Sequence, residues 1–370
     1  MSLFDDIDDD VEDDDDTETS APVVDIAGLP EARLQTDLIG HASAEKQILE
    51  WWSSGHMPHA LVIAGPKGIG KATLAFRLAR FLLAHPDLPG ESLFGAPEIP
   101  ESLSIPQFDK IYSLVASGGH PDMMVVERAF DDRKNDFRQE IVVDDVRGVP
   151  SFLRMTASMG GWRVVLIDDA DTLNRNAQNA LLKVLEEPPP QTLLMLVAHS
   201  AGALIPTIRS RSRVLNLSPL SKDDFATLLK RGAPNLMQGD IDLLMDYAAG
   251  SPGQALDLLE QGGVAGIRGV LSLFDTLPSA NEATIHKTAD QLAVRGTPDP
   301  LMGMLDVSAW ALRDKARAAA ASNETTGMKR WLSALDQLDA HRTMCDKGNL
   351  DRKHLAFGSL RILQKALKSA

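Results

Sequence analysis

The segment Gly65-Pro66-Lys67-Gly68-Ile69-Gly70-Lys71 constrains the fold more than any other, because it stands between a strand pattern and a helix pattern. Ala60 to Ala64 is a compact apolar run bounded by Pro58 and Gly65, as expected of a buried strand, and Leu74 to Ala84 repeats apolar residues at helical spacing. In that setting the glycines let backbone N–H groups curl around phosphate. The helix N-terminus favours negative charge, and the lysine reaches the outer phosphates. Gly65, Gly68, Gly70 and Lys71 are therefore candidate nucleotide-binding residues, and ATP with magnesium is the candidate ligand.

The loop departs from the full pattern at one position. A hydroxyl residue that ligates magnesium should follow the lysine, and this chain has Ala72 there, with Thr73 one residue late. A helix turns about 100° per residue, so Thr73 is expected to face elsewhere unless the loop shifts. It is kept as a candidate contact, but hydrolysis is expected to be poor because magnesium loses a protein ligand.

A second motif, Val164-Val165-Leu166-Ile167-Asp168-Asp169, is an apolar strand ending in two acids. Asp168 is the candidate magnesium holder. Asp169 stands where active ATPases of this type usually carry Glu to orient water. It is one methylene shorter, and small displacements at a reacting centre can cost about 10²-fold.

Further strand patterns at Met123 to Val126, Leu193 to Val197 and Val214 to Leu217 alternate with helical ones. The helices are Ala44 to Trp52, Val142 to Thr156 (weakened by Gly148 and Pro150) and Asn176 to Glu187, stopped by Pro188-Pro189-Pro190. The economical fold is an α/β domain with a mostly parallel sheet covered by helices. Gly90 to Gly119, rich in Pro, Ser and Gly, reads as an irregular insertion with some helix. After Pro219 the strand pattern stops and helices continue to the end. The expected division is an acidic tail over 1–24, the α/β domain over 25–217, a small helical domain over 218–262 and an all-helical domain over 263–370.

Charge is concentrated at one end. The net charge is -15, but Met1 to Ser20 hold 11 acidic residues and no basic one, leaving only -4 for the remainder. Such a block repels itself and has little apolar surface to bury, so it is expected to be disordered. Cys345 is the one cysteine in the chain. An internal disulfide and a multi-cysteine zinc site are thereby excluded, and a reducing cytoplasm fits. The histidines at 41, 56, 59, 85 and 120 match no common metal spacing, so no metal site is expected. No signal-peptide pattern and no apolar run of about 18 residues is present, so a cytoplasmic protein without a membrane span is expected.

The stretch Thr207-Ile208-Arg209-Ser210-Arg211-Ser212-Arg213 reads by itself as a basic surface turn beside a strand. Together with Asn179-Ala180-Leu181-Leu182-Lys183-Val184-Leu185-Glu186-Glu187-Pro188-Pro189 and Leu204-Ile205-Pro206, it resembles bacterial DNA polymerase III clamp-loader subunits. Leu38-Ile39-Gly40-His41, Met57-Pro58-His59-Ala60, Gly119-His120-Pro121-Asp122 and Gly250-Ser251-Pro252-Gly253 look like the delta-prime branch. The resemblance runs from about Thr36 to Leu259.

The resemblance implies an AAA+ P-loop domain, a helical lid and a collar domain joining subunits into a ring that loads a sliding clamp on primed DNA. Implied partners are gamma/tau-like motor subunits, a delta-like clamp-opening subunit, the clamp and, through the complex, DNA. It also implies that Arg211 is the catalytic arginine given in trans to a motor subunit's ATP, with Ser212 where the family usually has Cys. Ser200 is the implied first-sensor residue. Gly253 aligns with the arginine of a Gly-Ser-x-Arg pattern in motor subunits. Relatives commonly hold zinc with four cysteines between the two nucleotide motifs, and this chain has none there. Ala72, Asp169 and Gly253 together predict weak or absent independent hydrolysis. The alternative is a self-sufficient AAA+ ATPase such as the motor subunit itself.

Overall fold

The computed structural model describes residues 29–86, 100–131, 136–260, 263–296, 299–346 and 351–368. The acidic tail expected over 1–24 and the first part of the 90–119 insertion lie outside the described residues.

Five parallel strands form the central sheet: β1 (Ala60–Ala64), β2 (Met123–Val126), β5 (Arg163–Ile167), β6 (Thr192–Ala198) and β7 (Arg213–Asn216). Their spatial order is β2-β5-β6-β1-β7, with Ala60 opposite Leu194 and Leu61 opposite Arg213. Continuous apolar runs are what strands covered on both faces require, and every residue of β1, β5 and β6 is buried. Alternation then divides them. Leu61, Ile63, Val164, Leu166, Leu193 and Met195 pack on one side with α2 (Lys71–Ala84), whereas Val62, Val165, Ile167, Leu194 and Leu196 pack on the other with Leu181 and Val184 of α6 (Arg175–Glu186).

Other elements of this domain adjust the sequence expectations. α1 (Ala42–Ser53) buries Trp52 edge-on against Phe81 at 5.1 Å. Within the insertion, α3 (Lys110–Ala116) is capped by Asp109, and Leu103 and Val115 join the core. The segment expected as one helix over 142–156 is two short ones, α4 (Val143–Val146) and α5 (Val149–Arg154), divided at Gly148. A two-stranded hairpin, β3 (Phe130–Asp131) with β4 (Asp136–Phe137), was not expected from the pattern. At two residues per strand it is too short to show a period of two. α7 (Pro206–Arg209) is a single turn begun by Pro206.

The chain is helical after β7. α8 (Lys222–Gly232), α9 (Gln238–Ala248) and α10 (Pro252–Glu260) join the core beneath α2, while α11 (Gly263–Thr276), α12 (Glu282–Ala293), α13 (Pro300–Ala321), α14 (Thr325–Asp346) and α15 (Arg352–Lys368) build a second core around Leu301, Leu312, Leu338 and Leu360, with Val264, Ile267 and Val307 still in the first. Among the described residues, no helix is long and apolar enough to cross a membrane.

Candidate functional site

The glycine-rich loop leaves β1 and enters α2 beneath the end of the sheet. Gly65 has φ 154°, and a Cβ there would lie 2.5 Å from the Leu217 carbonyl oxygen, so only glycine lets the loop pass β7. Gly68, Gly70 and Lys71 line a cavity of about 300 Å³, together with Ala72, Thr73, Asp168, Asp169 and His199. Thr73, expected to turn away, borders the cavity beside Ala72, because α2 starts only at Lys71 and its first turn forms the wall. Leu29, Gln35, Asp37 and Leu38 also line it, with Leu38 beside Gly70. Arg80 is buried and donates from Nη1 to the Arg33 carbonyl at 2.7 Å and from Nη2 to the Gln35 carbonyl. Tyr112 donates to the Leu34 carbonyl at 2.7 Å. These bonds fix the strap that lines the cavity.

The charged groups of the cavity are answered within the chain. Lys71 Nζ donates to the Pro66 carbonyl at 2.6 Å, inside its own loop. Burial lowers the Lys71 pKa, opposed by the charges of Asp168, Asp171 and Asp169. Burial likewise pushes the Asp168 carboxyl up, while the Asp169 N–H, donating to Asp168 Oδ1 at 2.9 Å, pulls the other way. Asp169 sits in the left-handed backbone region at φ 52°, and its Oδ2 lies 3.3 Å from Arg128 Nη2. The pair is partly exposed, so Arg128 competes for this carboxylate without sequestering it. Asp171 joins the turn after β5 to the end of β6: its Oδ1 accepts from Ser200 N at 3.1 Å, and its Oδ2 pairs with His199 Nδ1 at 2.9 Å. Burial works against its ionisation, yet these donors outweigh burial and hold its pKa below the usual value.

A lid of α8–α10 rests directly on the loop. Ser251 Oγ donates to the Lys67 carbonyl at 2.6 Å, and Gly253 N donates to the Gly68 carbonyl at 2.9 Å. A Cβ on Gly253 would stand 2.7 Å from Gly68 Cα, closer than real Cβ atoms approach. This position therefore does more than lack an arginine, because any side chain would force the lid from the loop.

Ser200 is not among the residues lining the cavity. Its hydroxyl accepts from Gly202 N at 3.2 Å and caps the turn after β6, while the neighbouring His199 reaches the cavity. Gly65 shapes the loop from behind without lining the space. In kind, the loop N–H groups and Lys71 suit phosphate. The set fits magnesium poorly, with Ala72 in the hydroxyl position and Asp169 engaged by Arg128.

Arg211 lies outside this cavity. It follows α7, is 37% exposed in its side chain, and has Nη2 3.2 Å from Glu186 Oε1. Its Nη1 donates to the Thr207 carbonyl at 3.2 Å. Arg213 stacks over Trp51 with its guanidinium 5.5 Å from the ring centroid, so the three arginines of the turn are not equivalent.

The family described as "DNA polymerase III, delta subunit" matches residues 40–221. DNA polymerase III subunit delta' of Pseudomonas aeruginosa is 36% identical over 206 residues, covering 55% of this chain and 56% of that one. The delta' subunit of Escherichia coli is 32% identical over 215 residues, covering 58% of each. The segment 40–221 thus resembles the DNA polymerase III clamp-loader family. Across that segment the chain is delta-prime-like. It spans just over half the length of the curated relatives it matches. The gamma subunit of Buchnera aphidicola is 29% identical over 230 residues, covering 60% of this chain and 56% of that one.

The family-model match ends at residue 221, just before α8. Sequence reasoning missed Arg128 and Asp171. Arg128 carries no signal, since a lone arginine after a strand is unremarkable until the sheet brings it to Asp169. Asp171 could have been suspected from its position three residues after Asp168.

Proposed function

We propose that this chain is a delta-prime-like subunit of a clamp loader, assembling with gamma/tau-like motor subunits and a delta-like clamp-opening subunit to place a sliding clamp on primed DNA. In this reading Arg211 is directed at ATP held by an adjacent motor subunit. Its guanidinium stabilises charge that develops on the γ-phosphate during transfer, an effect worth about 10³–10⁵ in rate in GTPases. The observation that carries the reading is a division of labour: the arginine is exposed on a turn away from the chain's own cavity. The cavity itself has lost a magnesium ligand at Ala72 and has its second acid engaged by Arg128.

The chain's own loop retains the groups that hold phosphate, and in this reading it binds nucleotide without turning it over at a useful rate. Gly65, Gly68, Gly70, Lys71 and Thr73 would hold the ligand and Asp168 any magnesium. The purified chain should therefore show negligible ATP turnover, whereas brisk turnover would overturn the proposal. The second reading, a self-sufficient motor subunit, draws on the gamma match and on Lys71. It predicts that Lys71→Ala abolishes an activity that the isolated chain possesses.

A further inference from the structure

The arginine of the exposed turn is mounted on α6 at two points. The first is buried. Gln178 is 5% exposed, its Nε2 donates to the Leu173 carbonyl at 2.9 Å, and its Oε1 accepts from Ile205 N at 2.8 Å, where α7 is about to begin. This side chain ties the backbone of the turn to the first half of the helix. The second is at the surface: Glu186, the last residue of α6, has Oε1 3.2 Å from Arg211 Nη2. One rigid element therefore fixes both the chain that carries the arginine and the carboxylate that answers its charge.

A guanidinium offers its N–H donors as a planar fork. One nitrogen of Arg211 is used by the Thr207 carbonyl of its own turn, which sets the direction of the side chain. The other faces Glu186. A phosphate carries more charge than a carboxylate and accepts the same fork, so it can take over the nitrogen that Glu186 holds while the bond to Thr207 persists. The pair is half exposed, which keeps it weak enough to be exchanged.

Resting on the reading that Arg211 serves a neighbour's ATP, we propose that Glu186 is a positioning residue: it parks the Arg211 guanidinium when no phosphate is present and competes with phosphate for it. An exposed ion pair of this kind changes the apparent affinity for the nucleotide by up to about fivefold. The competition weakens with ionic strength, because salt screens exposed pairs. Gln178 holds the turn irrespective of charge and has no part in the exchange.

The test uses the complete reconstituted loader carrying this chain as wild type, Glu186→Gln, Arg211→Ala or both, with DNA-stimulated ATP turnover followed at several ATP and salt concentrations. Glu186→Gln is expected to lower KM for ATP by about two- to fivefold at low salt, to keep kcat within about twofold, and to steepen the rise of KM with salt, because screening of the phosphate contact is no longer offset by screening of the competitor. The double variant should behave as Arg211→Ala alone. If Arg211→Ala slows turnover but Glu186→Gln leaves KM and its salt dependence unchanged, Glu186 does not position the arginine. A fall in kcat with Glu186→Gln overturns the competition as well. If Arg211→Ala leaves turnover unchanged, the functional reading fails first. Thermal unfolding of the isolated variants separates either result from misfolding.

Discussion

The cavity beneath the lid and the arginine turn beyond α7 belong to the same α/β domain, yet their charged groups are treated in opposite ways. In the cavity, Lys71 bonds its own loop, Asp169 faces Arg128, Asp171 binds the end of β6, and the Gly68 carbonyl is taken by the lid. At the turn, Arg211 rests between one backbone carbonyl and one surface carboxylate. For these side chains the pairing favours holding a shape over exchanging partners, since a ligand contact to Lys71 or Asp169 would displace an existing bond. The exposed arginine has far less to give up. The difference teaches that one domain can hold the charges of its cleft in internal bonds while leaving an arginine half-exposed at a surface turn.

The largest effect should come from the turn. Arg211→Ala in the assembled loader is expected to slow hydrolysis at the site it serves by about 10²-fold or more, with DNA-stimulated ATPase as the measurement. An unchanged rate would erase the contrast between the two regions. The next effect belongs to the lid. Gly253→Arg places a side chain where even a Cβ would come within 2.7 Å of Gly68 Cα. It should cost about 1–3 kcal/mol, seen as a lower Tm, without creating ATPase activity. A gain of turnover would show that the lid residue was the limiting defect.

Ser251→Ala removes the Oγ bond to the Lys67 carbonyl. It is expected to cost about 1 kcal/mol and to speed amide hydrogen exchange at Gly253, whose N–H is held by Gly68. The smallest effect concerns Asp168, whose folded-state pKa is raised from 3.8 chiefly by burial. A carboxyl of this kind contributes stability that is present below its unfolded pKa and lost as pH rises through the folded value. Asp168→Asn should therefore raise Tm modestly at neutral pH, offset by the lost attraction to Lys71. The advantage should vanish below pH 3.8. A lower Tm at pH 7 would mean that the carboxylate is structurally required.

The phosphate-type loop, the acids after β5 and the parallel sheet were legible because each depends on a run of neighbouring residues. Apolar blocks such as Val164 to Ile167 and stops such as Pro188 to Pro190 carry local information. The latch from Ser251 to Lys67 and the pairing of Arg128 with Asp169 join residues far apart in sequence, and no pattern in either segment announces the other. Gly253 lies between these cases. The resemblance identified it as the site of a missing arginine, but only the packing against Gly68 shows that nothing larger than hydrogen fits there. Ser200 illustrates a limit of alignment at the scale of one residue: its neighbour His199 is the one at the cavity.

That contact between two glycines makes a side chain at position 253 costly to introduce. With the two backbones in contact, any side chain there must first prise them apart, and the stability forfeited comes before any other effect of the new group. The close approach acts as a clasp: two positions without side chains are part of how the domain holds itself closed.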